Sequence, residues 1–155
     1  GYAGFIRQMN IETQRLGARH STFVDAAGMK DQNITTARDM AFLTEAAFRD
    51  PLIQAAASAG EYQVTVASPH HQVRTIHNTN KLLTTDSGVW IVGGKTGYLE
   101  SSKYNFVMQA RPIKENGQPE FGKDVIVVIL GAPTKAGSFD AARRLAKWTW
   151  NNHEF

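Results

Sequence analysis

Three consecutive residues, Lys95, Thr96 and Gly97, carry the clearest chemical signal in the chain. An ammonium, a hydroxyl and a bare backbone, side by side on an extended segment, make a receptor for an anionic group. Lys95 supplies charge, Thr96 a directed donor, and Gly97 lets a second backbone come close. The apolar run Val89-Trp90-Ile91-Val92 leads in, and the alternating run from Tyr104 to Ala110 follows. The tripeptide is therefore expected on a strand, with a short turn and a second strand beside it. A phosphate-binding loop also ends in Gly-Lys-Thr, but it needs glycine where Val89 stands. It must also open a helix at the lysine, whereas Gly97 follows at once and the pattern stays extended.

The elements that hold this strand read as follows. Phe5, Ile6, Met9 and Leu16 suit one face of a helix that ends at Gly17. Arg19 to Asp25 reads as extended and leads into an irregular stretch around Gly28. Thr35-Thr36 can cap a helix whose apolar stripe is Met40, Leu43, Ala47 and Phe48. Asp50-Pro51 ends that helix, and Pro51 opens a short Ala-rich one that stops near Gly60. Glu61 to Ala67 alternates and is β-branched, so it is expected as a strand. Ser68-Pro69-His70-His71 breaks it, and Arg74 to His77 is a second extended piece. Asn78 to Leu83 reads as a turn and short helix, and Asp86-Ser87-Gly88 as a turn. Beyond the Lys-Thr-Gly strand, Pro112 to Asp124 reads as a polar hairpin loop around Asn116-Gly117. Val125 to Leu130 is apolar throughout and is expected to be a central strand. A helix from Ser138 to Asn152 closes the chain, with Phe139, Ala142, Leu145 and Trp148 or Thr149 inward. The order predicts three antiparallel strands with helices on both faces.

Composition bounds the rest. The 155 residues suffice for one domain with a real core, and 42% hydrophobic with 20% charged residues is globular. No apolar run approaches the length of a membrane span. The net charge of +3 is scattered, with no basic run interleaved with aromatics, so nucleic acid is not an expected partner. There are no cysteines, which excludes thiolate nucleophiles, disulfides and Cys-ligated metal. His70, His71 and His77 lie close in sequence, but their spacing fits no helical pair or zinc pattern; no metal and no cofactor are expected.

The wider constellation goes further. Asn78-Thr79-Asn80-Lys81-Leu82-Leu83 is followed by Gly94-Lys95-Thr96-Gly97-Tyr98, by Phe106-Val107-Met108-Gln109-Ala110, and by the run from Val125 to Thr134. Early stretches fit as well: Leu16-Gly17, Thr22-Phe23-Val24 and Thr35-Thr36-Ala37-Arg38-Asp39-Met40-Ala41. Together they resemble the low-molecular-mass penicillin-binding proteins, the serine D-alanyl-D-alanine carboxypeptidases, over nearly the whole chain. The resemblance implies an α/β (α+β) fold of the β-lactamase and transpeptidase kind, with the antiparallel sheet flanked by helices. Three motifs define such enzymes: Ser-x-x-Lys with the nucleophile, Ser-x-Asn, and Lys-Thr-Gly. Only the third is here; no serine has Lys three residues on or Asn two residues on. The chain opens without a cap or leader, as if inside a domain. Residues 1–155 are therefore expected to be the C-terminal portion of a DD-peptidase catalytic domain. The N-terminal portion of the same protein would carry the other two motifs.

By the same resemblance, Lys95 would sit beside the absent serine and lysines, tune proton transfer and attract the carboxylate that ends the peptide. Thr96 would hydrogen-bond that carboxylate, and Gly97 would let the substrate backbone pair along the strand. Tyr98 would offer its backbone N–H to the oxyanion. Thr79 stands where some relatives carry Arg, so it is a site-proximal, substrate-binding position without the charge. Leu99-Glu100-Ser101-Ser102 departs from the family pattern at the pocket mouth. The implied activity is removal of the terminal D-Ala from peptidoglycan stem peptides through an acyl-enzyme that β-lactams trap. The implied setting is the periplasm or the outer face of the bacterial cytoplasmic membrane, with a role in the cell wall and cell shape. A DD-endopeptidase of cross-links and a non-catalytic wall-binding relative are the alternatives. The free edge of Val125–Leu130 should pair with a strand from the N-terminal portion, because a bare apolar edge is an aggregation hazard.

Overall fold

Side-chain caps set where three of the four helices begin. In the computed structural model, which describes residues 1–67, 72–85 and 87–155, Thr36 opens α2 (Ala37–Phe48) by accepting from the Asp39 amide at 3.1 Å. The Asp50 carboxylate accepts from the amides of Leu52 and Ile53 at 2.9 and 3.2 Å and opens α3 (Pro51–Ser58), with Pro51 in the first turn. Thr134 accepts from the Gly137 amide at 3.0 Å and opens α4 (Lys135–Asn152). That cap starts α4 ahead of the expected Ser138. The first helix, α1 (Tyr2–Arg15), has no side-chain cap and is followed by Gly17 at φ +87°. Asn10 of α1 holds the Phe23 backbone at both its polar groups, donating to the carbonyl at 2.7 Å and accepting from the amide at 2.8 Å. Of the expected extended stretch 19–25, only an isolated bridge from Thr22 to Ile34 forms.

The strands fall into two sheets. β1 (Glu61–Thr65) and β2 (Val73–His77) pair as an antiparallel ribbon. A 3-10 turn, Lys81–Leu83, leads on to the main sheet. There β3 (Trp90–Leu99), β4 (Lys103–Arg111) and β5 (Val125–Ala132) lie antiparallel in the order β3-β4-β5. The expected break at Ser68-Pro69-His70-His71 and the first residue of the expected turn Asp86-Ser87-Gly88 lie outside the described residues. The 112–124 segment is the expected polar hairpin loop, turning at Gly117 with φ +79°. It is tied back by Asp124, which accepts from Gln109 at 2.7 Å and Arg111 at 2.9 Å.

Both faces of the main sheet are covered. Alternate residues Phe106, Met108 and Ala110 of β4 and Val125 and Val127 of β5 pack against Phe139, Ala142 and Ala146 of α4. The Phe106 and Phe139 rings meet edge to face at 4.9 Å. On the opposite face α3 lies against β3, and α2 crosses β4 and β5. This is the α+β arrangement, an antiparallel sheet flanked by helices, expected from the sequence.

Three expectations are corrected. The strand in the middle is β4, and β5 sits at the edge of the described sheet. The continuous apolarity of β5 reflects helices on both its faces, not its place in the order. In α4 the inward stripe is Ser138, Phe139, Ala142 and Ala146. Leu145 and Trp148 are exposed, and Trp150 packs on the core and donates to the Lys123 carbonyl at 2.9 Å. The apolar face of α1 is only partly covered: Phe5 is 56% exposed, Ile6, Met9 and Leu16 are half-buried, and Thr13 is the one buried residue of that helix.

Phe106 is the largest side chain closed into this core. Phe106→Ala should lower unfolding free energy by about 3–5 kcal/mol in denaturant titrations of the complete protein. A loss under about 1 kcal/mol would show that the Phe106–Phe139 contact is not central to the packing.

Candidate functional site

The Lys-Thr-Gly segment lies on β3, an edge strand of the main sheet with β4 as its one neighbour among the described residues. Lys95 faces Val107 across the ladder, Thr96 faces Phe106, and Gly97 faces Asn105. Half of the amides and carbonyls along this stretch turn away from β4, toward an edge that no strand occupies among the described residues. Two glycines just before Lys95 let the neighbours close in. A methyl group on Gly93 would meet the Phe48 ring at 3.1 Å and the Ala57 methyl at 3.3 Å, so α2 and α3 approach the strand from that face. A methyl group on Gly94 would meet Asn80 and Phe106 on the other. Side chains alternate along a strand. Lys95 therefore belongs to the α2–α3 face, and Thr96 to the Phe106 face.

A groove of about 570 Å³ runs between α2, α3 and β3. Its walls are apolar, from Met40, Leu43, Phe48 and Ile53, and Thr79, Lys95 and Thr96 line its polar part. The stripe expected to be buried on α2 is thus largely a groove wall: Met40, Leu43 and Ala47 are half-buried and only Phe48 is closed off. A second recess of about 230 Å³ lies beyond Thr96, bounded by Thr79, Gly97, Tyr98, Tyr104, Asn105, Lys135 and Ser138. Thr79 and Thr96 border both spaces, and their hydroxyls meet at 2.6 Å.

The Asn78-Thr79-Asn80 loop is tied at both ends. The Asn78 amide group donates to the Ala59 carbonyl at 2.9 Å, and its Oδ1 accepts from the Asn80 backbone at 2.9 Å. Asn80 caps the following 3-10 turn by accepting from Leu82 at 3.1 Å. Both asparagines are turn formers here. His77 sits 3.5 Å from Glu61 on the exposed ribbon, and His70 and His71 lie outside the described residues.

Lys95 is exposed and forms no ion pair among the described residues; its ammonium donates to the Thr96 carbonyl. Gly97 is exposed too, and a methyl group there would meet only Asn105, at 3.9 Å. The fold of this chain therefore does not itself demand glycine at 97. The Tyr98 ring stacks obliquely on Tyr104 at 4.5 Å, and its hydroxyl donates to Glu100. That hydrogen bond, with burial and the carboxylate charge, pushes the Tyr98 phenol above its ordinary range. Hydrogen bonds from Lys103 and Tyr98 hold Glu100 below the usual carboxylate range.

Sequence reasoning missed what holds the turn after β3. Ser101 donates to Asp31 at 2.6 Å, which ties the turn to the irregular segment 25–34. That segment is organised by Asp25, whose carboxylate accepts from Asn33 and from the amides of Met29 at 3.0 Å and Ala27 at 3.2 Å. Asp25-Ala26-Ala27-Gly28, with Gly28 at φ +71°, carries the Asx-turn signal that could have revealed it.

Comparison with known proteins bears on what this arrangement is. Residues 1–134 match the family described as D-alanyl-D-alanine carboxypeptidase. The chain is 32% identical over 149 residues to the D-alanyl-D-alanine endopeptidase of Escherichia coli, covering 96% of this chain and 44% of that protein. It is 28% identical over 149 residues to the Pseudomonas aeruginosa protein of the same name, with the same coverage. This chain thus spans less than half the length of these curated relatives. A variant of a Streptomyces DD-transpeptidase superposes with a TM-score of 0.82 at 24% identity, over 97% of this chain and 55% of that one. A D-alanyl-D-alanine carboxypeptidase from Mycobacterium tuberculosis superposes with a TM-score of 0.77 at 22% identity, over 96% and 53%. At these identities the structures speak for the fold.

The Asp25 hydrogen bonds, led by Asn33, lower its carboxyl from 3.8 to about 2. Its ionised form is therefore stabilised by folding. The contribution is complete above the unfolded value and is lost as pH falls from about 4 toward 2. Acid titration of the complete protein and of Asp25→Asn should show this: the variant loses stability at neutral pH and flattens the slope between those limits. Parallel acid profiles would contradict it.

Proposed function

Because this chain belongs to the D-alanyl-D-alanine carboxypeptidase family, we propose that it forms one side of the active centre of a serine DD-peptidase. The observation that carries this is the meeting of the Thr79 loop with Lys95 and Thr96 beside a groove, the latter two on a strand whose outer edge no described strand occupies. The N-terminal portion of the same protein supplies the other side, with its Ser-x-x-Lys and Ser-x-Asn motifs. The surfaces left open among the described residues support that partner: the β5 edge, Phe5 on α1 and the apolar walls of the groove. Burying them would remove an aggregation hazard and add hydrophobic stabilisation.

The peptide enters as an added strand beside β3, its backbone passing over Gly97. The space above Gly97 supports this, because among the described residues only Asn105, at 3.9 Å, would touch a methyl group there. The Thr96 hydroxyl, which can turn away from Thr79, donates to the terminal carboxylate, and Lys95 supplies the attracting charge. The serine hydroxyl attacks the penultimate D-Ala carbonyl, its proton passing to the neighbouring lysine of the N-terminal portion. The oxyanion is held by the Tyr98 amide and the nucleophile's own. Collapse breaks the amide bond, the leaving amine takes the proton, and water then hydrolyses the ester. β-Lactams acylate the same serine. With peptidoglycan stem peptides as the proposed substrate, the proposed setting is the periplasm or the outer face of the cytoplasmic membrane.

DD-endopeptidase action on cross-links is the second reading. Two observations favour it: the curated relatives carry that name, and Thr79 brings a hydroxyl rather than a cation to the carboxylate side of the site. Release of D-Ala from a pentapeptide, measured beside cleavage of a cross-linked dimer, separates the two.

A fluorescent penicillin applied to the complete protein should leave a stable covalent adduct. Lys95→Ala should slow its formation at least about 100-fold with the fold intact by circular dichroism. No adduct on the complete protein would support a non-catalytic wall-binding role instead.

A further inference from the structure

Asn80 is fully buried, yet its Nδ2 has no acceptor among the described residues. A buried donor left unpaired is costly, so its presence calls for a reason. Its Oδ1 is committed to the Leu82 amide at 3.1 Å, which fixes the orientation of the side-chain amide. Burial is already complete within this chain, so a partner arriving from outside has no access to Nδ2 in this arrangement. What Nδ2 does meet is β3: a methyl group on Gly94 would lie 2.7 Å from it, with the Val107 carbonyl at 3.2 Å and the Phe106 ring at 3.3 Å behind. The Asn80 amide and the missing side chain of Gly94 are fitted to each other. Thr79, one residue before Asn80, and Thr96, two residues after Gly94, stand hydroxyl to hydroxyl at 2.6 Å, and between Gly94 and Thr96 stands Lys95.

We propose that Asn80 is a positioning residue of the site: wedged on Gly94, it sets how closely the loop carrying Thr79 approaches the Lys95-Thr96 segment. The inference rests on the DD-peptidase reading for its catalytic consequence, but not for its geometry. Asn78 anchors the loop at its other end, to Ala59 and Gly60, so Asn80 controls the end that touches the strand. Loss of the wedge leaves the reacting groups in place and loosens the carboxylate side. It therefore acts on substrate binding more than on turnover.

The test is a variant cycle in the complete protein: Gly94→Ala, Asn80→Ser and the two together. Serine can still cap the 3-10 turn and is short enough to leave room for a methyl group at 94. Asn80→Ser should raise KM for a D-Ala-D-Ala peptide about tenfold while kcat changes less than about twofold. Gly94→Ala should do at least as much harm and lower the Tm. The double variant should recover at least about tenfold in kcat/KM over Gly94→Ala, with its Tm moving back toward wild type. Effects that simply multiply, or an unchanged KM in Asn80→Ser, would overturn the proposal. Should the wild-type complete protein neither turn over peptide nor bind penicillin, the functional reading fails. The Tm cycle would then still decide the wedge: coupled midpoints support it, additive ones refute it.

Discussion

Close approach to β3 is the constraint on which the rest depends. A strand that presents a peptide-binding edge must be held firmly by its faces, because the edge itself has to stay free. Here Gly93 and Gly94 remove the side chains that would keep neighbours away. On one face Phe48 of α2 and Ala57 of α3 close in, and on the other Asn80 and Phe106 do. A methyl group at either position would collide or crowd. The strand is thus gripped just before Lys95, and the three residues that follow project from a fixed base. Preorganisation of this kind lets a hydroxyl or amide act on developing charge without first being ordered.

A second layer of contacts steadies the far end. The turn after Leu99 is braced by Glu100, which takes hydrogen bonds from Tyr98 and Lys103. It is also braced by Ser101, which reaches Asp31. The segment that carries Asp31 is itself folded around the ionised Asp25. Residues distant in sequence therefore converge on the two ends of one strand, and the departure from the family pattern at 99–102 has a local structural role.

Much of this was legible in the sequence where local chemistry decides. Thr36, Asp50-Pro51 and Gly17 announce helix boundaries through groups that act within a few residues, and the alternation from Tyr104 to Ala110 announces β4. The Lys-Thr-Gly segment was readable as a strand because apolar residues flank it. What was not legible depends on partners far along the chain. An apolar strand buried on two faces looks the same at an edge as in the middle, so the order β3-β4-β5 cannot be read from it. Leu145 and Trp148 fit the helical period of α4 but lie on its more exposed side, away from the core. Asn80 read as a turn former, which it is. Its contact with Gly94 joins two segments that no periodicity connects.

In the proposed function a substrate adds itself to the outer edge of β3 with its carboxylate at Thr96. A crystal structure of the complete protein acylated by a penicillin tests this most directly. The account predicts the ligand's amide running along β3 over Gly97 and its carboxylate within about 3 Å of the Thr96 hydroxyl. A β3 edge occupied by another strand of the protein, or a carboxylate bound away from Thr96 and Lys95, would contradict it.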